Sequence, residues 1–349
     1  MLNNLQNLRA LAAQSVVLFH CLIGILHPTD PVGRGYLDLP SGGVDLFFVI
    51  SGFVMVHTTR DDELPAWFAA KRIARIVPLY WFATFLVIAT VTARSWTFPN
   101  ALITPDAILA SLFFVPHVDA GGHAYPILFV GWTLNHEMMF YALFALSLAL
   151  PRTFRLPGIL VLITLVWGVA NAAGSGVVAR FYAEPIIFEF AAGCIIATAL
   201  RQKAVADLVR KTPMWPLAML SVAGFAALPA FISVEQSTLL RYGGPAMLLV
   251  FAAAGQDLYR KPARETFVTG LGDASYSAYL LHPIVIIFAT TVSTMAIGEG
   301  PVAETIIVIG TLSLTAIISK LSLKYFERPT ASLARSLIGN LRGNRTAVG

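Results

Sequence analysis

Residues 8–26 have the sequence LRALAAQSVVLFHCLIGIL. A helix of this length spans about 28 Å, close to the ~30 Å hydrocarbon core of a bilayer, so the stretch predicts a membrane-spanning helix. Arg9 and His20 lie eleven residues apart in it, and eleven steps of about 100° return a helix almost to the same face. Ionisable groups inside a bilayer are costly and usually face a bundle interior or a water-filled cavity. This pair therefore marks a candidate functional site.

The rest of the chain shares the apolar character of this stretch. Of its 349 residues, 57% are hydrophobic and 12% are charged, and the mean hydropathy is +0.73. These values exclude an ordinary soluble domain and indicate an integral membrane protein. The net charge of +5 would suit an acidic partner, but the cations cluster between apolar stretches, as membrane topology requires. We therefore expect a lipid bilayer around the chain and no nucleic-acid partner.

Ten apolar stretches predict an all-α integral membrane protein with about ten transmembrane helices. They are residues 8–26, 42–58, 78–93, 130–150, 156–174, 183–200, 215–233, 243–256, 274–294 and 302–322. The stretch at 243–256 is the weakest because two glycines and a proline stand at its start, and it is either a tilted span or a partly re-entrant segment.

Lysine and arginine predict the orientation of these stretches. With the N-terminus in the cytoplasm, twenty of the 24 cationic residues fall on the cytoplasmic side, which is the imbalance that the positive-inside rule describes. Those assigned to the outer side are Arg34, Arg94, Arg180 and Arg241. We expect both termini in the cytoplasm, a membrane domain over residues 1–330 and a basic cytoplasmic tail over residues 331–349. A multi-pass protein of the inner, cytoplasmic membrane is the expected localisation.

Three titratable side chains from three helices lie at similar depth near the outer face in this topology. They are His20, Asp45 and Glu137. A neutral histidine can take a proton from an attacking hydroxyl, while a carboxylate fixes its tautomer and stabilises the imidazolium. We interpret the three as a candidate catalytic group. The alternative is that each is satisfied by a neighbour or sits in a water-filled interfacial pocket.

A basic loop is expected between the second and third stretches. Its cations Lys71, Arg72 and Arg75 are spaced to form a cationic helical face suited to phosphate groups. The alternative is a positive-inside anchor. His136 and Glu137 resemble the start of a zinc-binding HExxH helix, but the fifth position is Phe140, so we expect no metal.

Another histidine, His282, is predicted to lie in mid-membrane directly before Pro283. Two interpretations stay open for it. It either lines a cavity or packs at a proline kink.

Six ordered motifs resemble the membrane acyltransferase-3 family over about residues 5–330. They are NLRALA at 7–12 with His20, GVDLFFVISGF at 43–53, KRIARIVP at 71–78, WTLNHE at 132–137 followed by Phe140 and Tyr141, SYSAYLLHP at 275–283, and FERP at 326–329. The compact form resembles the exopolysaccharide O-acetyltransferase branch most. Two departures are Gln6-Asn7, where many members have Asp-Gly, and Lys71-Arg72, where many have Arg-Arg.

The resemblance implies transfer of an acyl group, commonly acetyl, from cytoplasmic acetyl-CoA or another short acyl-CoA as co-substrate. The implied acceptor is a hydroxyl of a cell-surface glycan or a lipid-linked saccharide. Residues 1–330 would then be a membrane acyltransferase domain. The family's essential arginine and histidine correspond to Arg9 and His20, its basic loop to Lys71, Arg72 and Arg75, and its acidic motif to Glu137.

A mechanism follows from the spacing on the first helix. Arg9 is about 16 Å nearer the cytoplasm than His20, so we expect the anionic end of the donor on Arg9 and the basic loop while its thioester arm extends inward. We expect His20 to act as general base, with Glu137 orienting it, and a transient acyl-His20 as the other route. The rival interpretation is a secondary transporter or glycan exporter, since buried ionisable groups also serve proton relays.

Overall fold

The computed structural model of the chain describes residues 2–23, 42–93, 98, 100–233, 237–296, 300–334 and 336. These residues form helices and connecting turns, and the described ranges contain no β-strand. In chain order the α-helices are α1 (Asn3–Cys21), α2 (Gly43–Thr58), α3 (Pro65–Ala93), α4 (Pro105–Leu112), α5 (Trp132–Leu148), α6 (Arg152–Ala173), α7 (Val177–Tyr182), α8 (Phe188–Leu200), α9 (Lys203–Lys211), α10 (Trp215–Ala227), α11 (Gly244–Tyr259), α12 (Phe267–Asp273), α13 (Ser275–Ala296) and α14 (Pro301–Ser322).

The all-α class is confirmed, and each of the ten predicted apolar stretches overlaps a helix. Within the described part of the chain, four helices are long and apolar enough to cross a membrane, or up to five if a bent helix pair counts as one span. The four are Pro65–Ala93, Arg152–Ala173, Ser275–Val292 and Val302–Ala334, and the bent pair is Pro185–Leu200 with Lys203–Lys211. The protein is thus a multi-pass membrane protein, while ten spans and cytoplasmic termini stay predictions.

The prediction of a basic loop before the third span was wrong. α3 is a single 29-residue helix that starts at Pro65, so the three predicted cations lie on its first turns. The apolar run begins at Pro78, and proline usually marks a helix boundary, which is why the sequence predicted a later start. Here Pro78 is inside the helix, as membrane helices tolerate.

The chain divides into two compact units. Unit 1 contains Met1–Thr58 and Pro185–Lys320, and unit 2 contains Thr59–Glu184 and Leu321–Gly349. Some predictions fall outside the described residues: the end of the first stretch at 24–26, the cations Arg34 and Arg94, and most of the tail at 331–349.

Small residues bring the helices of unit 1 close together. A Cβ added at Gly52 would lie 2.0 Å from the Phe190 carbonyl oxygen, and one at Gly193 would lie 2.1 Å from the Val49 carbonyl oxygen. α2 and α8 therefore cross with their backbones nearly in contact, as small residues permit between membrane helices. At Gly272 the same test gives 2.0 Å to the Gln6 carbonyl oxygen, so α12 presses on α1.

Aromatic side chains hold unit 2 together. The buried ring of Phe68 on α3 packs against Tyr141 and Phe144 on α5, with ring centroids 6.2 and 5.0 Å apart. Farther along α3, the Tyr80 hydroxyl donates a hydrogen bond of 3.0 Å to the Ser111 carbonyl. These contacts fix the cation-bearing start of α3 against the face of α5 that carries Tyr141.

Candidate active site

The start of α1 is anchored by polar side chains from neighbouring helices of unit 1. The first N–H groups of a helix have no partner within it, and here the Asp257 carboxylate accepts from the backbone of Asn4 at 2.8 Å and of Leu5 at 3.2 Å. The Thr269 hydroxyl donates to the Asn7 amide oxygen at 3.0 Å. With the close approach of Gly272, these contacts set the rotation of α1 and hence the direction of the side chains it carries.

Arg9 and His20 lie on this single continuous helix, as the sequence predicts. Leu11, the exposed apolar side chain of α1, is 60% accessible. It is about 200° from Arg9 and about 180° from His20 around the helix axis. Both polar groups therefore point away from the exposed side of α1, and both are only partly accessible.

The ring of His20 meets a second histidine within unit 1. Nδ1 of His20 lies 3.1 Å from Nε2 of His282 and 2.9 Å from the Val16 carbonyl oxygen. The two ring centroids are 4.9 Å apart, with an angle of 39° between the planes. His282 is fully buried. The sequence left its role open, and the structure places it against the predicted base.

Asp45, the predicted catalytic carboxylate at the start of α2, lies in unit 1 beside another carboxyl group. It interacts with Glu189 of α8, and both side chains are buried. Two adjacent carboxyl groups out of water cannot both be ionised without a large cost, so the pair holds at least one proton. The catalytic role of Asp45 stays a prediction, and proton sharing with Glu189 is a simpler role for it.

Glu137 and Arg72 of the basic segment, which consists of Lys71, Arg72 and Arg75, interact in unit 2. The Tyr141 hydroxyl, one turn after Glu137 on α5, donates a hydrogen bond to the Glu137 carboxylate. The guanidinium carbon of Arg72 lies 6.0 Å from the Tyr141 ring centroid and 5.5 Å from that of Phe68. Arg72 also interacts electrostatically with Glu137. We call Arg72, Tyr141 and Glu137 the arginine cluster.

The other two cations of the basic segment, Lys71 and Arg75, have different surroundings. Lys71 Nζ forms an ion pair of 2.8 Å with the Glu63 carboxylate. Arg75, one turn farther along α3, is exposed. The segment therefore offers one arginine packed against aromatic rings, one exposed arginine and one lysine already engaged by a carboxylate.

The sequence did not predict the roles of Glu189 and Tyr141 in these sites, and it left that of His282 open. Glu189 lies inside the apolar stretch at 183–200, and His282 is followed by a proline, so both carried a local signal. Tyr141 was quoted only as part of a motif, although it joins Arg72 to Glu137. Across the described residues, no group of three His, Cys, Asp or Glu side chains is arranged to hold a metal ion.

Comparison with known proteins decides the family. A family model described as an acyltransferase domain matches residues 2–320. The chain belongs to the acyltransferase-3 family. It is therefore an O-acyltransferase, and the transporter interpretation gives way to an enzyme.

Individual relatives agree with this assignment. The exopolysaccharide production protein ExoZ of Rhizobium meliloti (strain 1021) is 37% identical over 280 residues, which cover 79% of this chain and 85% of that protein. O-acetyltransferase OatA of Staphylococcus aureus (strain NCTC 8325 / PS 47) is 27% identical over 365 residues, or 94% of this chain and 57% of that protein. Acyltransferase MdmB of Streptomyces mycarofaciens is 25% identical over 324 residues, covering 82% and 79% of the two chains. No solved structure matches the chain.

Proposed function

We propose that the protein transfers an acyl group, in the first instance acetyl, from cytoplasmic acyl-CoA to a hydroxyl of a cell-surface glycan or lipid-linked saccharide. The reaction takes place in the cytoplasmic membrane, and His20 is its general base. The observation that carries the proposal is the setting of the His20 ring, on the protected face of α1 and with Nδ1 held 2.9 Å from a backbone carbonyl.

The carbonyl contact determines which ring nitrogen of His20 carries the hydrogen. A carbonyl oxygen only accepts hydrogen bonds, so Nδ1 of His20 carries the hydrogen, and in the neutral ring the lone pair is on Nε2. Nε2 is therefore the nitrogen that takes the proton of the acceptor hydroxyl.

The chemistry balances without a further reactant. The acceptor oxygen attacks the thioester carbonyl carbon while its proton passes to Nε2 of His20. The carbon–sulfur bond then breaks, and the proton returns to the CoA thiolate. The products are an O-acyl ester and free CoA, and His20 regains its starting state.

The donor is anionic, and the chain offers arginines to bind it. In unit 2, Arg72 and Arg75 suit the phosphate groups of CoA, since a guanidinium binds phosphate in a bidentate manner. In unit 1, Arg9 donates to the Gln6 amide at 3.1 Å through Nη1 and presents a further cation. We assign all three to donor binding, with Lys71 in a lesser role because Glu63 engages it.

The names of the relatives support the acceptor and the acyl group. The Rhizobium relative is named for exopolysaccharide production and the Staphylococcus relative is an O-acetyltransferase. The first name favours a saccharide acceptor, and the second favours an acetyl group.

The test uses membranes that contain the full chain, radiolabelled acetyl-CoA and polysaccharide from the same cells. We expect free CoA to appear together with base-labile label in the polysaccharide, and His20→Ala to lose both. Thioester that stays intact in the presence of acceptor would contradict the proposal.

A further inference from the structure

We propose that His282 is a positioning residue for the acyl transfer, which fixes the tautomer and orientation of His20 by accepting a hydrogen bond from its Nδ1. The inference rests on the proposed role of His20 as base. It adds a residue to which the proposal above gives no role.

The geometry of the pair is that of a direct hydrogen bond. Nε2 of His282 and Nδ1 of His20 are 3.1 Å apart, a separation at which one nitrogen must donate and the other accept. His282 is fully buried, so the protein itself sets the direction of its ring.

The backbone of α13 decides which nitrogen of His282 carries the hydrogen. Nδ1 of His282 lies 3.3 Å from the Ala278 carbonyl oxygen, and the imidazole also interacts with the backbone of Tyr279. Pro283 has no N–H, so the Tyr279 carbonyl lacks its usual helical donor. The Ala278 carbonyl can only accept, so Nδ1 carries the hydrogen, and Nε2 of the neutral ring is left as an acceptor aimed at His20.

Two acceptors fix the tautomer of His20. Its Nδ1 lies between two acceptors, the Val16 carbonyl at 2.9 Å and Nε2 of His282 at 3.1 Å. In the opposite tautomer the lone pair of Nδ1 would face both of them. His282 therefore favours the form of His20 whose Nε2 can accept the proton of the acceptor hydroxyl.

The contact also changes during the reaction. When Nε2 of His20 takes a proton the ring becomes cationic, and hydrogen bonds from charged donors are roughly twice as strong as neutral ones. His282 thus has the role of the group that orients the base in a catalytic triad, here with a neutral ring in place of a carboxylate. Its loss should lower kcat and leave KM for the donor unchanged.

Two polar substitutions separate positioning from packing. The amide of glutamine reaches the place of Nε2 in histidine, whereas the amide of asparagine reaches only the place of Nδ1. We expect His282→Gln to keep kcat within about tenfold of the native enzyme and His282→Asn to lose about 100-fold, as for removal of a group that supports general base catalysis. The measurement is CoA release and glycan labelling in membranes with equal amounts of folded protein.

His57 supplies the matched control. It lies in the same unit, at the end of α2, where its ring stacks on Phe53 with a centroid distance of 5.5 Å. We expect its Gln and Asn variants to be equally active. Equal activities of His282→Gln and His282→Asn, whether high or low, would overturn the positioning role.

The variant His20→Ala separates the two proposals. If it retains native activity, the proposed function fails. If it is inactive while His282→Asn matches the native enzyme, only the role of His282 fails.

Discussion

His20 and Arg72 are surrounded by different kinds of chemical group. In unit 1, His20 is held by a backbone carbonyl and another imidazole. In unit 2, Arg72 packs against two aromatic rings and interacts with the Glu137 carboxylate. The first environment fixes the orientation of an imidazole ring, and the second holds a positive charge in a defined direction.

This difference predicts different kinetic roles. A residue that moves a proton acts in the transition state, so its loss lowers kcat. A cation that binds the distant phosphates of the donor contributes to ground-state and transition-state binding alike, so its loss raises KM. Substitutions in the two regions should separate along these two parameters.

The largest effect on kcat is expected at His20, the proposed base. His20→Ala should lower kcat by about 1,000-fold or more, within the range of general acid–base catalysis, while KM for acetyl-CoA changes little. The variant should insert into the membrane like the native protein, and its elution profile in size-exclusion chromatography after detergent solubilisation should match. A variant that keeps full activity would remove the kinetic distinction between the two regions.

A smaller effect is expected in the arginine cluster. Arg72→Gln should raise KM for acetyl-CoA by about 30-fold, since charge-assisted hydrogen bonds contribute about 1.5–3 kcal/mol, and kcat should stay within about threefold. Arg152→Gln is the control, because Arg152 is an exposed arginine of the same unit in an ion pair with Asp61. A drop in kcat at constant KM would assign Arg72 to the chemical step instead.

The buried carboxyl pair of unit 1 tests whether all polar groups there are catalytic. Asp45→Asn keeps a hydrogen-bonding group beside Glu189 and should retain stability, whereas Asp45→Leu leaves Glu189 without it and should lower the unfolding free energy by about 1–3 kcal/mol. Thermal unfolding in detergent measures both. Loss of activity by a stably folded Asp45→Asn would show that the Asp45 carboxylate takes part in the reaction.

The smallest effects are expected at the edge of the basic segment. Arg75→Gln should raise KM about fivefold and weaken its dependence on salt, because exposed charges are screened. Lys71→Gln should change KM less than about twofold, since Glu63 already engages the ammonium group. Equal effects of the two substitutions would contradict this ranking.

Local patterns predicted much of the fold. Periodicity placed Arg9 and His20 on one face of one helix, and the apolar stretches located helices along the chain. Hydropathy located the helices, while the number of helices that cross the bilayer stays a prediction, since α2 and α11 have 16 residues each. The start of α3 was not predicted because proline usually ends a helix, whereas α3 continues through Pro78.

Local sequence patterns did not predict the partners of the site residues. His20 and His282 are 262 positions apart in the sequence, and neither reveals the other without the packing of α1 against α13. Lys71 and Arg72 are neighbours in sequence, yet one meets Glu63 and the other Tyr141, because successive helical side chains point about 100° apart.

The most direct test is the mass of the cell-surface polysaccharide from cells that carry the native gene, no gene, or the His20→Ala variant. We expect one added acetyl group on the repeating sugar unit with the native protein, and unmodified polysaccharide in the other two strains. Acetylated polysaccharide in the His20→Ala strain, at the native level, would contradict the proposed role of His20.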